Sequence, residues 1–235
     1  MNEHLEELRK RLLISSIAVL VGAALGFAFH KPIISFLLEP AQGYIGAPDG
    51  KLVFTEMTEM LGTVMKVSLL SGLVMALPMV AYQAARFVAP GLTAREHKYL
   101  YLLPLGVIIA FTVGVLFGYF VLFPPGLKFL LTFDADIATP YIRIGNYINL
   151  VISLLFWMGL VFQLPIVMFL LARWRIVSAS AFPRFRRYAF LLAFVLGAII
   201  TPTVDPINQT IVSLPILILY ETGIWLARLA QRNPH

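Results

Sequence analysis

In the N-terminal stretch NEHLEELRKRLL (residues 2–13), three carboxylates (Glu3, Glu6, Glu7) and three bases (Arg9, Lys10, Arg11) immediately precede an apolar run. The chemistry open to such groups is charge pairing. A carboxylate accepts a guanidinium through two parallel hydrogen bonds, which suits it to a cationic partner. A plainer reading stands beside this one. Leu5, Leu8 and Leu12 share a helix face, and Glu6–Lys10 and Glu7–Arg11 are i,i+4 pairs in the favourable order, so the stretch also reads as a charge-laced amphipathic helix. A second acidic candidate lies in QAARFVAPGLTAREHK (83–98), where Pro90-Gly91 breaks the chain. Thr93 and Glu96 have capping-box spacing there, so Glu96 is either a cap or a further acceptor for a cationic peptide.

Other chemistries lack their residues. No HExxH, GxSxG, P-loop or GxGxxG string occurs, and there is no cysteine. His4, His30, His97 and His235 have no i,i+4 histidine partner, so metal binding has no motif behind it. The expectation is a protein that is not an enzyme and carries no cofactor or metal.

The elements that must hold the acidic groups follow from composition. Of 235 residues 60% are hydrophobic and only 13% charged, against about a quarter charged in soluble domains, and mean hydropathy is +0.86. This is the balance of an all-α integral membrane protein. A span needs roughly 20 mostly apolar residues. Four runs qualify, at about 12–29, 61–82, 99–123 and 148–172, and the apolar stretch after residue 187 is split by TPTVDPINQ (201–209) into two shorter spans near 188–203 and 208–227. Residues 1–235 thus read as one polytopic membrane domain of six spans, the last two short. A cleaved signal peptide fits residues 1–29 poorly, because its leading segment would hold three carboxylates. The first span is expected to stay.

Six spans put both termini on one side, and the basic residues choose which. Thirteen Lys and Arg lie in the two tails and in the 83–98 and 173–187 loops, whereas the opposite loops hold Lys31, Lys51, Lys128 and Arg143. The positive-inside rule places both termini in the cytoplasm, and the net charge of +6 reports this topology instead of a nucleic-acid partner. Glu7 and Glu96 then both sit at a surface where anionic lipid favours Lys and Arg, which favours the peptide-acceptor reading. In the first outer loop, PIISFLLEPA (32–41) suits a short interfacial helix presenting Ile33, Phe36 and Leu37 and ended by Pro40.

Ionisable or strongly polar groups inside a membrane are costly and are functional candidates for that reason. Three stand out here: Lys66, able to snorkel; Gln163, placed to satisfy a carbonyl freed by the kink at Pro165; and Glu221, placed to pair with Arg228. Pro78, Pro104, Pro124, Pro125 and Pro215 predict further kinks. An echo between LPMVAYQAARF (77–87) and LPIVMFLLARW (164–174), both running inward, rests on five identities and is no firmer than coincidence.

Taken in order, HLEELRKRLL, LPMVAYQAARFVAPGLTAREHK, GVLFGYFVLFP (114–124), FQLPIV (162–167), TPTVDPINQ and LPILILYE (214–221) resemble the TatC family, the polytopic core of the twin-arginine protein translocase, over nearly the whole chain. The resemblance implies six helices in a concave, glove-like bundle in the cytoplasmic membrane. It implies a receptor that, with a TatB-like partner, binds twin-arginine signal peptides of folded cargo, while TatA-like single-span proteins assemble for transport driven by the proton-motive force. A homo-oligomeric working complex is implied as well. The family's two signal-recognising carboxylates match Glu7 and Glu96, with Leu8, Arg9, Phe87, Pro90 and Leu92 around them, Pro40 in the first outer loop, and Asp205 and Gln209 in the last outer turn. One position departs: many relatives carry Glu where this chain has Gln163, which puts proton coupling there in doubt and leaves a hydrogen-bonding role. The alternative from another class is a secondary transporter of a small solute, for which six kinked spans suffice but inverted repeats and clustered intramembrane charges are wanting.

Overall fold

Long apolar runs in a solvent without hydrogen-bond partners must satisfy their backbone internally, and helices do this within one segment. The computed structural model describes residues 2–41, 52–88, 97–132, 142–201 and 206–232. Helices account for nearly all of them: α1 (Asn2–Ala28), α2 (His30–Leu38), α3 (Glu59–Val88), α4 (His97–Phe117), α5 (Phe123–Thr132), α6 (Ile144–Val161), α7 (Leu164–Arg173), α8 (Arg186–Ile200) and α9 (Pro206–Arg232). Five segments are long and apolar enough to cross a bilayer: Leu5–Ala28, Glu59–Phe87, Leu102–Thr132, Ile144–Arg173 and Gln209–Gln231.

Several expected boundaries move, each for a local reason. The third segment runs on past Pro124 and Pro125 to Thr132. A π turn over Gly118–Leu122 sends the Phe123 N–H to the Gly118 carbonyl, and the two prolines then occupy the first turn of α5, where their missing N–H groups are least costly. The fourth segment breaks at Phe162–Gln163 before Pro165 opens α7. Of the last two helices only α8 is short, with 15 residues, or about 22 Å of rise. By contrast α9 has 27 residues and continues past Pro215 and Arg228, so the helix is longer than the apolar stretch 208–227 from which the last span is read. Between α1 and α3, α2 forms as expected and passes into a 3-10 turn containing Pro40. Its inward side chains are Ile34 and Leu37, while Phe36 is half exposed.

The chain divides into two compact units, Met1–Ile108 with Pro124–Ile152, and Ile109–Phe123 with Ser153–His235. In the first, α1 and α3 pack antiparallel, with Gly22 against Gly72, Gly26 against Ser68, and Arg11 against Gln83. A Cβ on Gly22 would lie 2.6 Å from the Gly72 carbonyl oxygen and one on Gly26 2.8 Å from that of Ser68. The two backbones touch. This close approach is available only to small residues, as in small-residue membrane helix interfaces.

At the far end of this unit an ion-paired clasp closes residues 53–59 on residues 142–145. The Glu59 side chain, only 7% exposed, accepts from Arg143 Nη2 at 2.9 Å, from the Gly145 N–H at 2.9 Å and from the Thr55 N–H at 2.9 Å. Glu56, well exposed, takes Arg143 Nη2 at 3.1 Å. Val53 and Arg143 add a parallel bridge, and the Tyr147 hydroxyl donates to the Leu37 carbonyl at 2.9 Å. Hydrogen bonds to Glu59 first, then to Glu56, hold the Arg143 guanidinium above its ordinary pKa, so the arginine is charged at any working pH. Nothing in sequence spacing pointed to Glu56, Glu59 and Arg143 as a group.

In the second unit Met168, Ala172, Ala179, Phe182, Ile224, Ala227 and Ala230 form a buried cluster that packs α7 on α9. Gln231 fastens its end, accepting from the Ala179 N–H at 3.0 Å and donating to the Ala172 and Val177 carbonyls at 3.2 and 3.3 Å. Gly197 lets α8 meet α9, where a Cβ would stand 2.6 Å from Ser213 Oγ.

Two outcomes test these contacts. Gly72→Val inserts a branched side chain between touching backbones and is expected to cost about 1–3 kcal/mol, read as a lowered thermal midpoint of the detergent-purified protein, with Gly62→Val, which faces open space, as the silent control. Glu59→Ala is expected to lower the midpoint by a few degrees and Glu56→Ala to leave it unchanged, because only Glu59 also holds two backbone N–H groups.

Candidate functional site

The acidic candidate that the described residues contain is Glu7, two turns into α1. Its helix forms because Leu, Glu, Arg and Lys all favour it, and the i,i+4 spacing brings Glu7 and Arg11 together. Arg11 contacts Glu7 Oε1 through both Nη2 and Nε, the latter at 3.1 Å. The remaining Arg11 nitrogen, Nη1, donates to Gln83 Oε1 on α3 at 3.3 Å. Gln83 is buried at 7% exposure, and its amide reaches Met79 Sδ at 4.0 Å. A carboxylate, a guanidinium and a buried amide thus tie the start of α1 to the end of α3.

Surface access follows from burial. The Glu7 side chain remains 34% exposed while Arg11 falls to 16%, so the carboxylate stands at the rim with the arginine behind it. Leu8 is partly exposed and Arg9 exposed on the same turn of α1. Phe87 lies at the end of α3, half-buried, one turn beyond Gln83. Arg86 stacks over the Tyr82 ring at 5.7 Å. Leu5 and Leu12 keep about three-fifths of their surface exposed, which leaves the leucine face to lipid. The structure therefore brings Glu7, Leu8 and Arg9 together on α1 and sets Gln83, four residues before Phe87, against Arg11. Pro90, Leu92, Thr93 and Glu96 lie outside the described residues, between Val88 at the end of α3 and His97 at the start of α4.

The intramembrane polar groups are each engaged within their own unit. Lys66 Nζ donates to Asn149 Oδ1 on α6 at 3.4 Å, both groups being exposed. Gln163 sits at the break between α6 and α7. There its N–H turns to Leu160 O at 2.9 Å instead of Gly159 O, and its side-chain Nε2 takes the Gly159 carbonyl at 3.2 Å. The side chain replaces the lost backbone bond, as a residue before a proline kink is expected to do. Glu221 corrects an expectation: its partner is Arg186, held through Oε1 at 2.7 Å and Oε2 at 2.8 Å, and not Arg228. Seven residues along a helix is about 10 Å, too far for an ion pair, whereas the start of α8 comes directly alongside.

Of the candidates expected in the outer loops, Pro40 is half-buried in the turn after α2, and Asp205 lies outside the described residues. Gln209, in the first turns of α9, donates to the Phe194 carbonyl on α8 at 2.8 Å. Ser213, one turn on, donates its proton to Ala193 O or Gln209 O, at 3.0 and 2.7 Å. Among the described residues no group of three or more His, Cys, Asp or Glu side chains is placed to hold a metal.

The whole chain can now be set against known proteins. The family model described as Sec-independent protein translocase protein (TatC) matches residues 3–215. A Sec-independent protein translocase protein TatC of Aquifex aeolicus is 40% identical over 236 residues, covering 99% of this chain and 96% of that one. A second, from Carboxydothermus hydrogenoformans, is 38% identical over 226 residues, covering 96% and 91%. Among solved structures, a crystal structure of the twin arginine translocase receptor TatC superposes with a TM-score of 0.85 at 39% identity, covering 97% of this chain and all of that one. With identity and fold agreeing from end to end, the chain belongs to the TatC family of Sec-independent protein translocase proteins.

Proposed function

We propose that this chain is the core subunit of a twin-arginine protein translocase and receives the signal peptide of folded cargo at the cytoplasmic membrane surface, with Glu7 and Glu96 as the acceptors of its arginines. One observation carries the reading. Glu7 already binds a guanidinium, that of Arg11, at a half-exposed rim whose geometry suits an arginine. An incoming arginine shares that carboxylate or displaces Arg11, which keeps its bond to Gln83. Chain order supports a second acceptor close by: α3 ends at Val88, next to the α1 end that carries Glu7, and only eight residues separate it from α4, with Glu96 the last of them. Leu8, Arg9, Phe87, Pro90 and Leu92 would form the surrounding surface. Pro40, Asp205 and Gln209 would serve the outer face.

In this reading both termini are cytoplasmic in a multi-pass plasma-membrane protein. The short α8 is the fifth crossing, its about 22 Å requiring a locally thinned bilayer. TatB-like and TatA-like single-span proteins and further copies of the chain complete the working complex, and transport draws on the proton-motive force. Gln163, unable to titrate, acts as a hydrogen-bonding group at its kink. The solute-transporter alternative is not favoured: Lys66, Gln163 and Glu221 each have a structural partner within their own unit, and the relatives that the chain matches are translocase proteins.

Photocrosslinking tests the receptor role. A probe beside the twin arginines of a signal peptide, in inverted membranes holding this chain and its single-span partners, is expected to react near residues 7 and 96. Glu7→Ala, Glu96→Ala or a twin-lysine signal should each reduce the product about tenfold or more, since each removes a charge-assisted pair. Product formation indifferent to all three changes refutes the assignment. Topology is tested separately, because the chain lacks cysteine and accepts single reporters. An impermeant maleimide added to intact cells is expected to label Cys introduced at Lys31 and to spare Cys introduced at His4 or Arg232.

A further inference from the structure

The pairing of Glu221 with Arg186 leaves a basic group at the end of α9 with something else to do. Arg228 is exposed and, among the described residues, has no ion-pair partner. It lines a cleft of about 520 Å³ with Ala179, Trp225, Leu229 and Gln231. A second cleft, of about 590 Å³, continues along the same helix between Leu217, Ile218, Glu221, Thr222 and Leu226, and Trp225 borders both. Trp225 is 68% exposed, and Ile218 and Leu229 are more than half exposed.

We infer that this pair of clefts is a binding site for one anionic phospholipid, with the phosphate on Arg228, the Trp225 indole at the headgroup boundary and an acyl chain along Leu217, Ile218 and Leu226. Three features select that occupant. Polarity changes along the helix: Leu217 and Ile218 lie farthest from Arg228, the paired Glu221 and Thr222 come next, Trp225 marks the level at which amphipathic rings settle, and the arginine follows one turn later. The charge is right, because the bidentate Arg186–Glu221 pair neutralises the one carboxylate in the wall, so the site presents a net positive guanidinium to a phosphate. The geometry is fixed, because Gln231 is spent on the Ala179 N–H and the Ala172 and Val177 carbonyls, and the buried cluster of α7 and α9 holds the opposite face. The inference rests on α9 being a membrane crossing with residues 225–231 at a lipid–water surface.

The chain has three tryptophans, so Trp157→Phe with Trp174→Phe leaves Trp225 as the sole emitter. Reconstituted in phosphatidylcholine vesicles, this full-length variant is titrated with dibrominated phosphatidylglycerol or dibrominated phosphatidylcholine, present in both leaflets, and quenching is read. Phosphatidylglycerol is expected to quench at about fivefold lower mole fraction, the preference one basic group provides at an anionic surface. Arg228→Gln should abolish the preference, and Arg228→Lys should keep most of it, with unchanged helicity excluding misfolding. Equal quenching by the two lipids, or a preference that survives Arg228→Gln, overturns the site while leaving α9 in the membrane. Absence of quenching by either lipid overturns the membrane reading of α9 as well. Quenching and preference that both fall as protein density rises identify a second copy of the chain as the occupant and also overturn the inference.

Discussion

The backbone contact between Gly22 on α1 and Gly72 on α3 is the constraint on which the candidate receptor surface depends. Antiparallel helices whose backbones touch have a fixed register, so with Gly22 near the end of α1 against Gly72 in the middle of α3, Arg11 faces Gln83 and Glu7 is held at the rim just beyond. A larger residue at either glycine would separate the helices and lengthen the 3.3 Å bond between Arg11 and Gln83. The site chemistry is therefore downstream of packing. Lipid gives helices no hydrophobic reason to associate, which makes close van der Waals approach and interhelical hydrogen bonds the available means. The same solution recurs in the second unit, where Gly197 admits Ser213 and Gly223 faces Met168.

Polar groups are placed where backbone needs them. Gln163 covers the carbonyl released at the α6–α7 break, Gln209 reaches a carbonyl of α8, Gln231 ties off the end of α7, and Glu59 gathers the loop N–H of Thr55 and the N–H of Gly145 at the start of α6 along with Arg143. In a bilayer each such group left alone costs several kcal/mol, so irregular backbone has to come with its own partners. Glu7 differs from these. Its carboxylate holds the Arg11 side chain and keeps about a third of its own surface exposed.

Much of this was legible in residue order because it is local. Apolar runs of 20 or so residues mark the first four spans, the i,i+4 rule pairs Glu7 with Arg11, and the proline two residues after Gln163 foretells its role at a kink. What escaped is tertiary or depends on cancellation between neighbours. Glu59 and Arg143 are 84 residues apart, and Arg186 and Glu221 are 35 apart, so neither pair has a spacing to read. The third apolar run ends near residue 123 in the sequence, with a kink predicted at Pro124 and Pro125, yet a π turn precedes the prolines and the helix continues to Thr132. Arg228 looked like the edge of the last span, but a helix held from α7 and tied by Gln231 carries its charge outward without stopping. The family resemblance reached further than local pattern because it carries tertiary information that spacing does not.

The central claim is that Glu7 recognises an arginine of the signal peptide directly, and a double-mutant cycle on binding isolates that contact. Affinities are measured for wild type and Glu7→Gln, each with the twin-arginine signal and with each arginine replaced singly by glutamine, at fixed salt. Direct pairing predicts that one of the two arginines couples to Glu7 by about 1.5 kcal/mol or more, so that once Glu7 is gone the loss of that arginine has little further effect. Additive losses, with coupling within about 0.3 kcal/mol for both arginines, would mean that Glu7 acts only as the partner of Arg11, and the recognition site would have to be sought elsewhere.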